Sequence, residues 1–345
     1  MIQVAVVILN YNGKELLRTF LPSVIKHSGD AKIIVADNNS SDGSSTILQE
    51  EFPQLDIIQM ASNLGFCGGY NYALSKVQAK YYVLLNSDVE VTPGWIEPII
   101  SLFEKDETIG AAQPKILSYS NKSTFEYAGA GGGYIDALGY PFCRGRIFNS
   151  LEKDNHQYDD CVPVFWVTGA CMFVRAELFH KMGGLDEDFF AHMEEIDLCW
   201  KLNRAKYSVF YQGASTVYHL GGGTLAASNP RKTYLNFRNG LSLIFKHYPL
   251  PQLLWKFPVR VLLDWVASLK FLMEGSGASA IAIYKAHLHF IGSVGREIKK
   301  RRVLKDEIPN FKVGNTYHRL ITFDHFLGGR RSFTELDQAS FKARA

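Results

Sequence analysis

Residues 4–13, VAVVILNYNG, join a near-continuous apolar run to a polar turn that ends in glycine. Three more apolar runs follow within the first hundred residues, at 33–36 (IIVA), 56–60 (DIIQM) and 81–86 (YYVLLN), with helix-like amphipathic segments between them. Such runs are typical of a parallel sheet whose strands are buried under helices on both faces. The sequence therefore predicts a doubly wound α/β unit.

A polar or glycine-containing loop follows each predicted strand, at 10–13, 37–43, 63–69 and 86–90. In open α/β sheets, ligands bind in the crevice outside the carboxyl ends of the strands. We therefore expect these four loops to converge on one crevice.

The pattern changes after the first hundred residues. From about 118 to 160 the sequence is glycine-rich and aromatic, which indicates an irregular hairpin or a flexible loop. The strand-like runs VPVFWV and ACMFV come next, followed by the helix-like segment MEEIDLCWKLNRA. Residues 207–219 predict two more short strands, and after Gly223 the pattern is largely helical.

The composition excludes several classes of protein. With 345 residues, of which 47% are hydrophobic and 21% charged, the chain can bury a large core. A net charge of +3 gives no reason to expect nucleic acid as a partner. Five cysteines without a CxxC pair disfavour both a disulfide framework and a structural zinc site, and favour a reduced, cytoplasmic compartment. The sequence contains neither a recognisable signal peptide nor a run of 18 uncharged apolar residues.

Two acidic side chains directly follow predicted buried strands. Asp37, in IIVADNNSSDGS, stands at the strand end, where its carboxylate can accept the N–H of a pyrimidine ring. Turn formation and helix capping explain Ser41 and Asp42 better. Asp88, in YYVLLNSDVE, is a candidate ligand for Mg²⁺ or Mn²⁺ that also grips phosphate oxygens. Capping of the next helix explains Asp88 equally well.

Residues 63–71, NLGFCGGYN, place small side chains where a helix is predicted to begin. The free backbone N–H groups and the positive end of a helix suit a phosphate group, and glycine allows a ligand to approach the main chain. This stretch is not a GxGxxG motif and does not follow the first strand, which argues against a nicotinamide dinucleotide fold.

The segment MEEIDLCWKLNRA begins with a cluster of acids. At helical spacing Glu195 leads an inward apolar stripe, and a carboxylate partly withdrawn from water suits general-base work. Glu194 is better explained as an acid favoured by the helix dipole. Asp197 faces Lys201 one turn later, which predicts a solvated, salt-bridged surface.

Two later residues are weaker candidates. His219, in VYHLGGGT, stands at a strand end before three glycines, as a metal ligand or phosphate contact would. An ordinary half-buried histidine is the alternative. Arg238, within a helix-like segment, can reach a diphosphate if the helix faces the crevice, and a solvated arginine is the alternative.

Seven stretches, in this order, resemble the family 2 glycosyltransferases of the GT-A fold, most closely the rhamnosyltransferase-like bacterial branch. They are VAVVILNYNG, IIVADNNSSDGS, NLGFCGGYNYAL, YYVLLNSDVEVTPGW, VTGACMFVRAELFHKMGGLDEDFF, MEEIDLCWKLNRA and VYHLGGGT. Together they span about residues 3–240. The resemblance implies a GT-A type doubly wound mixed sheet with a C-terminal helical appendage.

The resemblance also implies which residues bind the donor and the acceptor. The residues implied for the nucleotide are Leu9, Tyr11, Asp37, Asn63, Gly65 and Asn71, with Asp37 on the base. The residues implied for the donor and acceptor pocket are Thr168, Gly169 and Ala170, to which the residue pattern adds Arg238 as a candidate.

For the metal, the resemblance implies Asp88, the last acid of a DxD-type motif whose first acid is replaced here by Asn86, together with His219. The divalent cation would be Mg²⁺ or Mn²⁺. Glu195 stands where the family usually has the aspartate of its ED motif, the general base. Because glutamate is one methylene longer, Glu194 remains the second candidate for that role.

The reaction implied is inverting, metal-dependent transfer of a hexose from a nucleoside diphosphate, of the dTDP-rhamnose or UDP-hexose type. The acceptor would be a hydroxyl of a glycan or lipid-linked molecule in cell-envelope polysaccharide synthesis. The leaving diphosphate would be stabilised by the metal and by helix-end dipoles. Two alternatives stay open at this point: a sugar-phosphate nucleotidyltransferase and a non-catalytic glycan-binding scaffold.

The resemblance divides the chain into a catalytic domain at 1–240 and a mainly helical region at 241–345. Within the latter, aromatic and aliphatic residues alternate with basic ones up to REIKKRR at 296–302. This pattern predicts either peripheral contact with an anionic membrane, at the cytoplasmic face of the inner membrane, or a helical subdomain packed on the sheet. The oligomeric state is left open by the sequence.

Overall fold

A computed structural model describes residues 2–221 and 229–342 of the chain. The strands are β1 (Ile2–Asn10), β2 (Lys32–Asp37), β3 (Asp56–Gln59), β4 (Ala79–Asn86), β5 (Val89–Val91), β6 (Ile109–Ser118), β7 (Gly133–Ile135), β8 (Pro141–Cys143), β9 (Arg146–Ile147), β10 (Ser150–Leu151), β11 (Cys161–Val164), β12 (Cys171–Arg175), β13 (Ser208–His219), β14 (Thr316–Tyr317) and β15 (Phe341–Lys342). The helices are α1 (Lys14–His27), α2 (Ser44–Glu51), α3 (Gly65–Leu74), α4 (Glu97–Lys105), α5 (Ala176–Lys181), α6 (Glu194–Arg204), α7 (Pro230–His247), α8 (Leu250–Met273), α9 (Gly277–Glu307) and α10 (Ile321–Phe326).

The larger sheet runs in the order β11-β13-β6-β12-β4-β1-β2-β3, with β5 paired to the end of β13. Strands β4, β1, β2 and β3 are parallel to one another, whereas β12 is antiparallel to both β4 and β6. Alternate residues of β1 face two separate cores: Ala5 and Val7 pack on the side of α3, and Val4, Val6 and Ile8 on the side of α1. The sheet is thus mixed and covered on both faces, which confirms the predicted fold class.

Residues 207–219 form one long strand instead of the two short ones predicted. β13 pairs with β6 in parallel along its length and shifts register between Gln212 and Thr216. Gly213 lies within the irregular stretch, where a Cβ would come 2.5 Å from the carbonyl oxygen of Tyr158. Gly213 therefore allows a bulge inside a continuous strand.

The glycine-rich stretch from 118 to 160 contributes β7 to β10 to a smaller sheet, ordered β10-β9-β8-β7-β14-β15. Its last two strands come from the C-terminal end of the chain. The predicted helices of the C-terminal third are present as α7, α8 and α9, but α7 spans the boundary expected at 240/241. Residues after α9 return to the glycine-rich stretch and complete its smaller sheet.

The acid expected on a solvated surface of α6, Asp197, is completely buried. Its carboxylate lies 2.9 Å from Nζ of Lys246 and 2.8 Å from Nε2 of His247, both on α7, and 3.4 Å from Nζ of Lys201. Burial alone would raise the pKa of Asp197, but Lys246 and Lys201 hold it well below its usual range. The prediction was wrong because α7 covers the face of α6 that the sequence spacing assigned to solvent.

Replacing Asp197 by alanine is expected to destabilise the fold by about 3–5 kcal/mol, because the buried ammonium groups of Lys246 and Lys201 lose their partner. The free energy of unfolding in urea measures this loss. Asp56→Ala serves as the matched control, since Asp56 pairs with Lys32 at the surface and its loss is expected to cost less than about 1 kcal/mol. Equal effects of the two substitutions would contradict this account of the α6–α7 junction.

Candidate active site

Asp88 and His219 meet at the end of β4. The pairing of β5 with β13 places Val89 opposite His219, and the N–H of Leu220 donates to the carbonyl oxygen of Asp88 at 3.0 Å. As a result, Nε2 of His219 lies 3.1 Å from Oδ1 of Asp88. Both side chains are almost fully buried.

A third side chain, Glu126, completes this group, although the sequence did not indicate it. Its Oε2 lies 3.2 Å from Nδ1 of His219, on the side of the ring away from Asp88. Burial alone would lower the pKa of His219, but the two carboxylates raise it to about 10. In the sequence Glu126 is a lone acid before a glycine-rich run, so no local signal marks it.

The residues at this place fit a cation that is shared with a ligand. They offer one carboxylate, Asp88, and one imidazole nitrogen of His219, with the amide of Asn86 3.4 Å from that nitrogen. A carboxylate beside the other ring nitrogen, as Glu126 provides, is a common outer-shell partner of a metal-binding histidine. Within residues 2–221 and 229–342, no three His, Cys, Asp or Glu residues are arranged to hold a metal by themselves. Oxygens of the ligand would have to complete the coordination shell.

The segment Thr168–Ala170 connects this group to the start of α6. The carbonyl oxygen of Ala170 accepts the N–H of Asn86 at 2.9 Å, and Oγ1 of Thr168 accepts the N–H of Ala170 at 3.1 Å. Gly169 lies between α3 and α6: a Cβ there would be 3.3 Å from the ring of Phe66 and 3.9 Å from Oε1 of Glu194. The predicted pocket segment is therefore placed between the Asp88 group and the two glutamates.

Glu194 and Glu195 begin α6, and few hydrogen bonds offset the burial of their carboxylates. Glu194 is buried and Glu195 is partly exposed, and Oε2 of each is enclosed without a hydrogen-bond partner. Burial and the neighbouring carboxylate raise the pKa of Glu194 well above its usual range. Burial also raises the pKa of Glu195, to about 7, although backbone N–H groups at the helix start oppose the shift. A carboxyl group with such a pKa can accept a proton near neutral pH.

The loop that leads into α6 has an unusual backbone. Phe190 has φ 64° and ψ −55°, and the N–H of Ala191 donates to the carbonyl oxygen of Phe189 at 2.7 Å, which together define a γ-turn. His192 and Met193 follow with φ values of 69° and 74°. Such conformations persist only where surrounding contacts enforce them.

Two side chains of α7 hold the backbone of the loop before α6 in these conformations. Nδ2 of Asn239 donates to the carbonyl oxygens of Phe189, Ala191 and His192 at 2.7–3.1 Å. The guanidinium of Arg238 donates to the carbonyl oxygens of Asp188 and Phe189 at 2.8 Å. In this structure the guanidinium of Arg238, the candidate contact for a donor diphosphate, therefore binds the loop backbone.

Asp37 is fully buried at the end of β2. Its carboxylate accepts hydrogen bonds from the side chains of Asn10, Ser40, Ser45 and Gln59 and from the N–H of Ser40. Burial would raise its pKa, but these donors lower it. In this structure Asp37 ties the loops after β1, β2 and β3 together instead of presenting free oxygens to a base.

The backbone N–H groups at the start of α3 donate to oxygen atoms of the protein. The carbonyl oxygen of Phe190 accepts the N–H groups of Phe66 and Cys67 at 3.0 and 3.3 Å, and Oδ1 of Asn63 accepts that of Gly65 at 2.8 Å. The ring of Phe190 covers Gly65, where a Cβ would lie 2.6 Å from it. The predicted phosphate site at this helix end is thus filled by the γ-turn in this conformation.

Asn71, a candidate contact for the nucleotide, is hydrogen-bonded to the segment before α6 in this structure. Its Oδ1 accepts the N–H of Leu185 at 2.9 Å, and its Nδ2 donates to the carbonyl oxygen of Leu185 and to Glu187 at 2.8 and 3.0 Å. The amide therefore fastens α3 to the segment before α6.

The remaining nucleotide candidates lie at the end of β1. Leu9 packs against Gly69 of α3, and Tyr11 is 47% exposed in the loop after β1. Gly222, Gly223 and Thr224, from the motif VYHLGGGT, lie outside the described residues.

Comparison with known proteins identifies the family. The model of "Glycosyl transferase family 2" matches residues 5–183, slightly more than half of the chain. The N-acetylglucosaminyl-diphospho-decaprenol L-rhamnosyltransferase of Mycobacterium tuberculosis is 24% identical over 64% of this chain and 76% of its own. Rhamnosyltransferase WbbL of Escherichia coli K12 is 26% identical over 63% of this chain and 83% of its own.

Two solved structures share the fold. GalNAc-T7, solved with UDP, GalNAc and Mn²⁺, superposes with a TM-score of 0.55 at 15% identity, covering 72% of this chain and 49% of the other. Mannosyltransferase PcManGT of Pyrobaculum calidifontis, solved with GDP-Man and Mn²⁺, superposes with a TM-score of 0.51 at 13% identity, covering 89% and 84%. The mixed sheet of this chain, with its acidic strand ends, is that of the GT-A fold. The family match shows that this chain belongs to glycosyl transferase family 2.

Proposed function

We propose that the protein transfers a hexose from a nucleoside diphosphate to a hydroxyl group of a glycan or lipid-linked acceptor, with inversion at the anomeric carbon. The observation that carries the proposal is the placement of Glu194 and Glu195. Both have an enclosed, unpartnered carboxylate oxygen, and Glu194 lies beside Gly169, whose segment is bonded to the strand end that carries Asp88. A carboxyl group of raised pKa with an unpartnered oxygen is suited to deprotonate an attacking hydroxyl.

We assign the role of base to Glu195. It is the more exposed of the two glutamates, and its pKa of about 7 leaves much of it ionised at neutral pH. Glu194 is more deeply buried and holds its proton more strongly, so that the pair carries one negative charge instead of two. Glu195 takes the proton of the acceptor hydroxyl as its oxygen attacks the anomeric carbon, and the bond to the diphosphate breaks on the opposite face.

Asp88 and His219 would hold a divalent cation, Mg²⁺ or Mn²⁺, with Glu126 orienting the imidazole ring. When bound, such a cation neutralises the charge that develops on the leaving diphosphate. The loops organised by Asp37 would position the nucleoside, with Leu9, Tyr11, Asn63 and Gly65 around it. Because α3 is capped by Phe190, its dipole contributes to phosphate binding only if the γ-turn moves.

For the donor we propose dTDP-rhamnose or a UDP-hexose, and for the acceptor a lipid-linked glycan of cell-envelope polysaccharide synthesis. The names of the mycobacterial and E. coli relatives, both rhamnosyltransferases, support this choice, as does the decaprenol in the first of them. We further propose that the reaction takes place at the cytoplasmic face of the membrane. No helix among the described residues combines the length and the apolar character that a membrane span requires.

Glu195→Gln is expected to lower turnover by about 10²–10⁴-fold, because the amide cannot accept the hydroxyl proton. Asp88→Ala is expected to lower turnover by about 10²-fold or more and to abolish the metal-dependent thermal shift caused by a nucleoside diphosphate. Turnover is measured as the release of sugar from a panel of nucleotide sugars. NMR of the anomeric carbon of the product then measures inversion. Glu177→Gln, an exposed site on α5, is the matched control and should behave as wild type. Near wild-type turnover of Glu195→Gln would refute the assignment of the base.

The pH dependence of kcat/KM tests the same carboxylate independently. The base works when ionised, and burial raises the pKa of Glu195 to about 7, so activity should fall as the pH is lowered through about 7. An unperturbed glutamate would lose activity only near pH 4.3. A profile that stays flat from pH 8 to pH 5 would contradict a buried glutamate as the base.

A further inference from the structure

Helix α8 has its polarity reversed relative to a helix at a water-exposed surface. Between residues 250 and 269 its charged side chains are Lys256, Arg260 and Asp264, and all three are buried. Ser268 continues the same stripe at a spacing of four residues. A surface helix normally turns its apolar stripe inward and its charges outward.

The buried charged side chains of α8 each contact a partner inside the protein. Nε of Arg260 lies 3.0 Å from Oδ1 of Asp264, whose Oδ2 lies 3.2 Å from Nε2 of His287 on α9. The hydroxyl of Tyr140 also donates to Asp264 at 3.2 Å. Lys256 stacks over the ring of Tyr248 at 3.9 Å. These contacts fix the rotation of α8 about its axis, because turning it would break several buried polar contacts at once.

The outward face of α8 is consequently apolar. Within residues 250–269, Gln252 is the one exposed side chain that is polar. Leu254 is 70% exposed and Leu262 63% exposed. The other exposed side chains of this face are those of Leu250, Pro251, Trp255, Pro258, Val259, Trp265, Val266 and Leu269. Twenty helical residues extend about 30 Å, so the face is long.

Neighbouring helices enlarge this surface. The rings of Trp265 on α8 and Tyr284 on α9 lie 6.2 Å apart, and Lys270 at the end of α8 stacks over Phe326 of α10 at 4.7 Å. The exposed apolar side chains that these contacts add are Ile281, Tyr284, Leu288 and Ile291 on α9, and Phe323, Phe326 and Leu327 on and after α10. We call the outward side of α8 with these additions the α8 face.

The exposed charged residues of α8 and α9 indicate what covers the α8 face. The basic ones are Lys270, Lys285, Arg296, Lys299, Arg302 and Lys305, and the acidic ones are Asp306 and Glu307, so the exposed charge of the two helices is mostly positive even though Glu274, directly after α8, pairs with Lys270 at 3.6 Å. Two copies of the chain that met through this face would bring like charges together, whereas the anionic headgroups of a bilayer attract them. Tryptophan and tyrosine beside apolar residues are likewise typical of the boundary between lipid and water.

In the membrane alternative of the sequence analysis, the basic run REIKKRR would face anionic lipid, but part of the run has partners within the protein. Arg296 pairs with Asp188 at 3.1 Å, and Lys300 pairs with Asp186 at 2.6 Å and with Asp188 at 2.5 Å. The guanidinium of Arg301 donates to the carbonyl oxygen of Phe245. Much of the run therefore holds the loop before α6, which leaves apolar contact as the main source of affinity for a membrane.

We propose that the α8 face inserts into the interfacial layer of a lipid bilayer, with α8 lying along the membrane plane. The buried charges of α8 remain inside the protein, and the exposed basic residues lie at headgroup level. The inference goes beyond the proposed reaction, because attachment requires neither donor nor acceptor. It also differs from attachment by charge, since it predicts binding to uncharged bilayers.

Flotation of the purified full chain with vesicles tests the proposal. We expect binding to phosphatidylcholine vesicles that persists at high salt, with an increase when phosphatidylglycerol is added at low salt. Binding confined to anionic vesicles and lost at high salt would overturn insertion in favour of simple charge attraction. Absence of binding to both kinds of vesicle would overturn the proposal entirely.

The double variant Leu254→Glu with Leu262→Glu locates the contact. It is expected to reduce partitioning into phosphatidylcholine vesicles about tenfold or more, because two large apolar side chains no longer enter the bilayer. Both sites are exposed, so the thermal melting curve should remain that of the wild type. Leu151→Glu, on the exposed edge strand β10, is the matched control and should bind as wild type. Unchanged binding of the double variant would refute the α8 face as the contact.

Tryptophan fluorescence gives a second, independent measurement. Trp95, Trp166 and Trp200 are buried, whereas Trp255 and Trp265 on the α8 face are 54% and 44% exposed. Vesicles should shift the tryptophan emission to the blue, and brominated lipids should quench it. The double variant Trp255→Phe with Trp265→Phe should show neither effect. If the double glutamate variant instead converts a dimer into a monomer in light scattering, while vesicles leave the emission unchanged, the face is an interface between copies and the proposal fails.

Discussion

The carboxylate of Asp197 is the point on which the arrangement of the candidate active site depends. It is fully buried on α6, and its partners Lys246 and His247 come from α7. Lys246 also binds Asp186, at the other end of the loop that leads into α6. A buried carboxylate with two such partners fixes the axial position of α6 against α7, because any sliding would leave charges unpaired in the interior. Glu194 and Glu195 begin the same helix, so their position follows from this contact.

The same helices control the backbone before the two glutamates. Asn239 donates to three carbonyl oxygens of a loop that contains a γ-turn and two further residues of positive φ. The carbonyl oxygen of Phe190 in turn caps α3. The C-terminal helices are thus part of the catalytic unit in a physical sense. Because α8 packs against α7 and α9, the proposed membrane face and the proposed base are carried by one group of helices, which suits an acceptor that is anchored in lipid.

Much of the fold could be predicted from the sequence, because buried parallel strands leave continuous apolar runs such as YYVLL before Asp88. The convergence of strand ends follows from the topology of such sheets, and Asp88 and His219 do lie together. Contacts between side chains and distant parts of the chain could not be predicted from the sequence. Asn71 and Arg238 carry polar groups that suit a ligand, but their hydrogen bonds go to backbone of the loop before α6. The spacing of Asp197 and Lys201 indicated solvent because the sequence does not show that α7 covers that face.

Turnover of Asn239→Ala tests most directly whether the C-terminal helices position the base. Removing the amide takes one donor from three carbonyl oxygens of the loop before Glu194 and Glu195, and a displacement of a reacting group by about 1 Å can lower a rate by about 10²-fold. We predict that kcat falls by about tenfold or more and that the acid limb of its pH profile moves. Wild-type kcat and an unchanged pH profile in the folded variant would contradict the account.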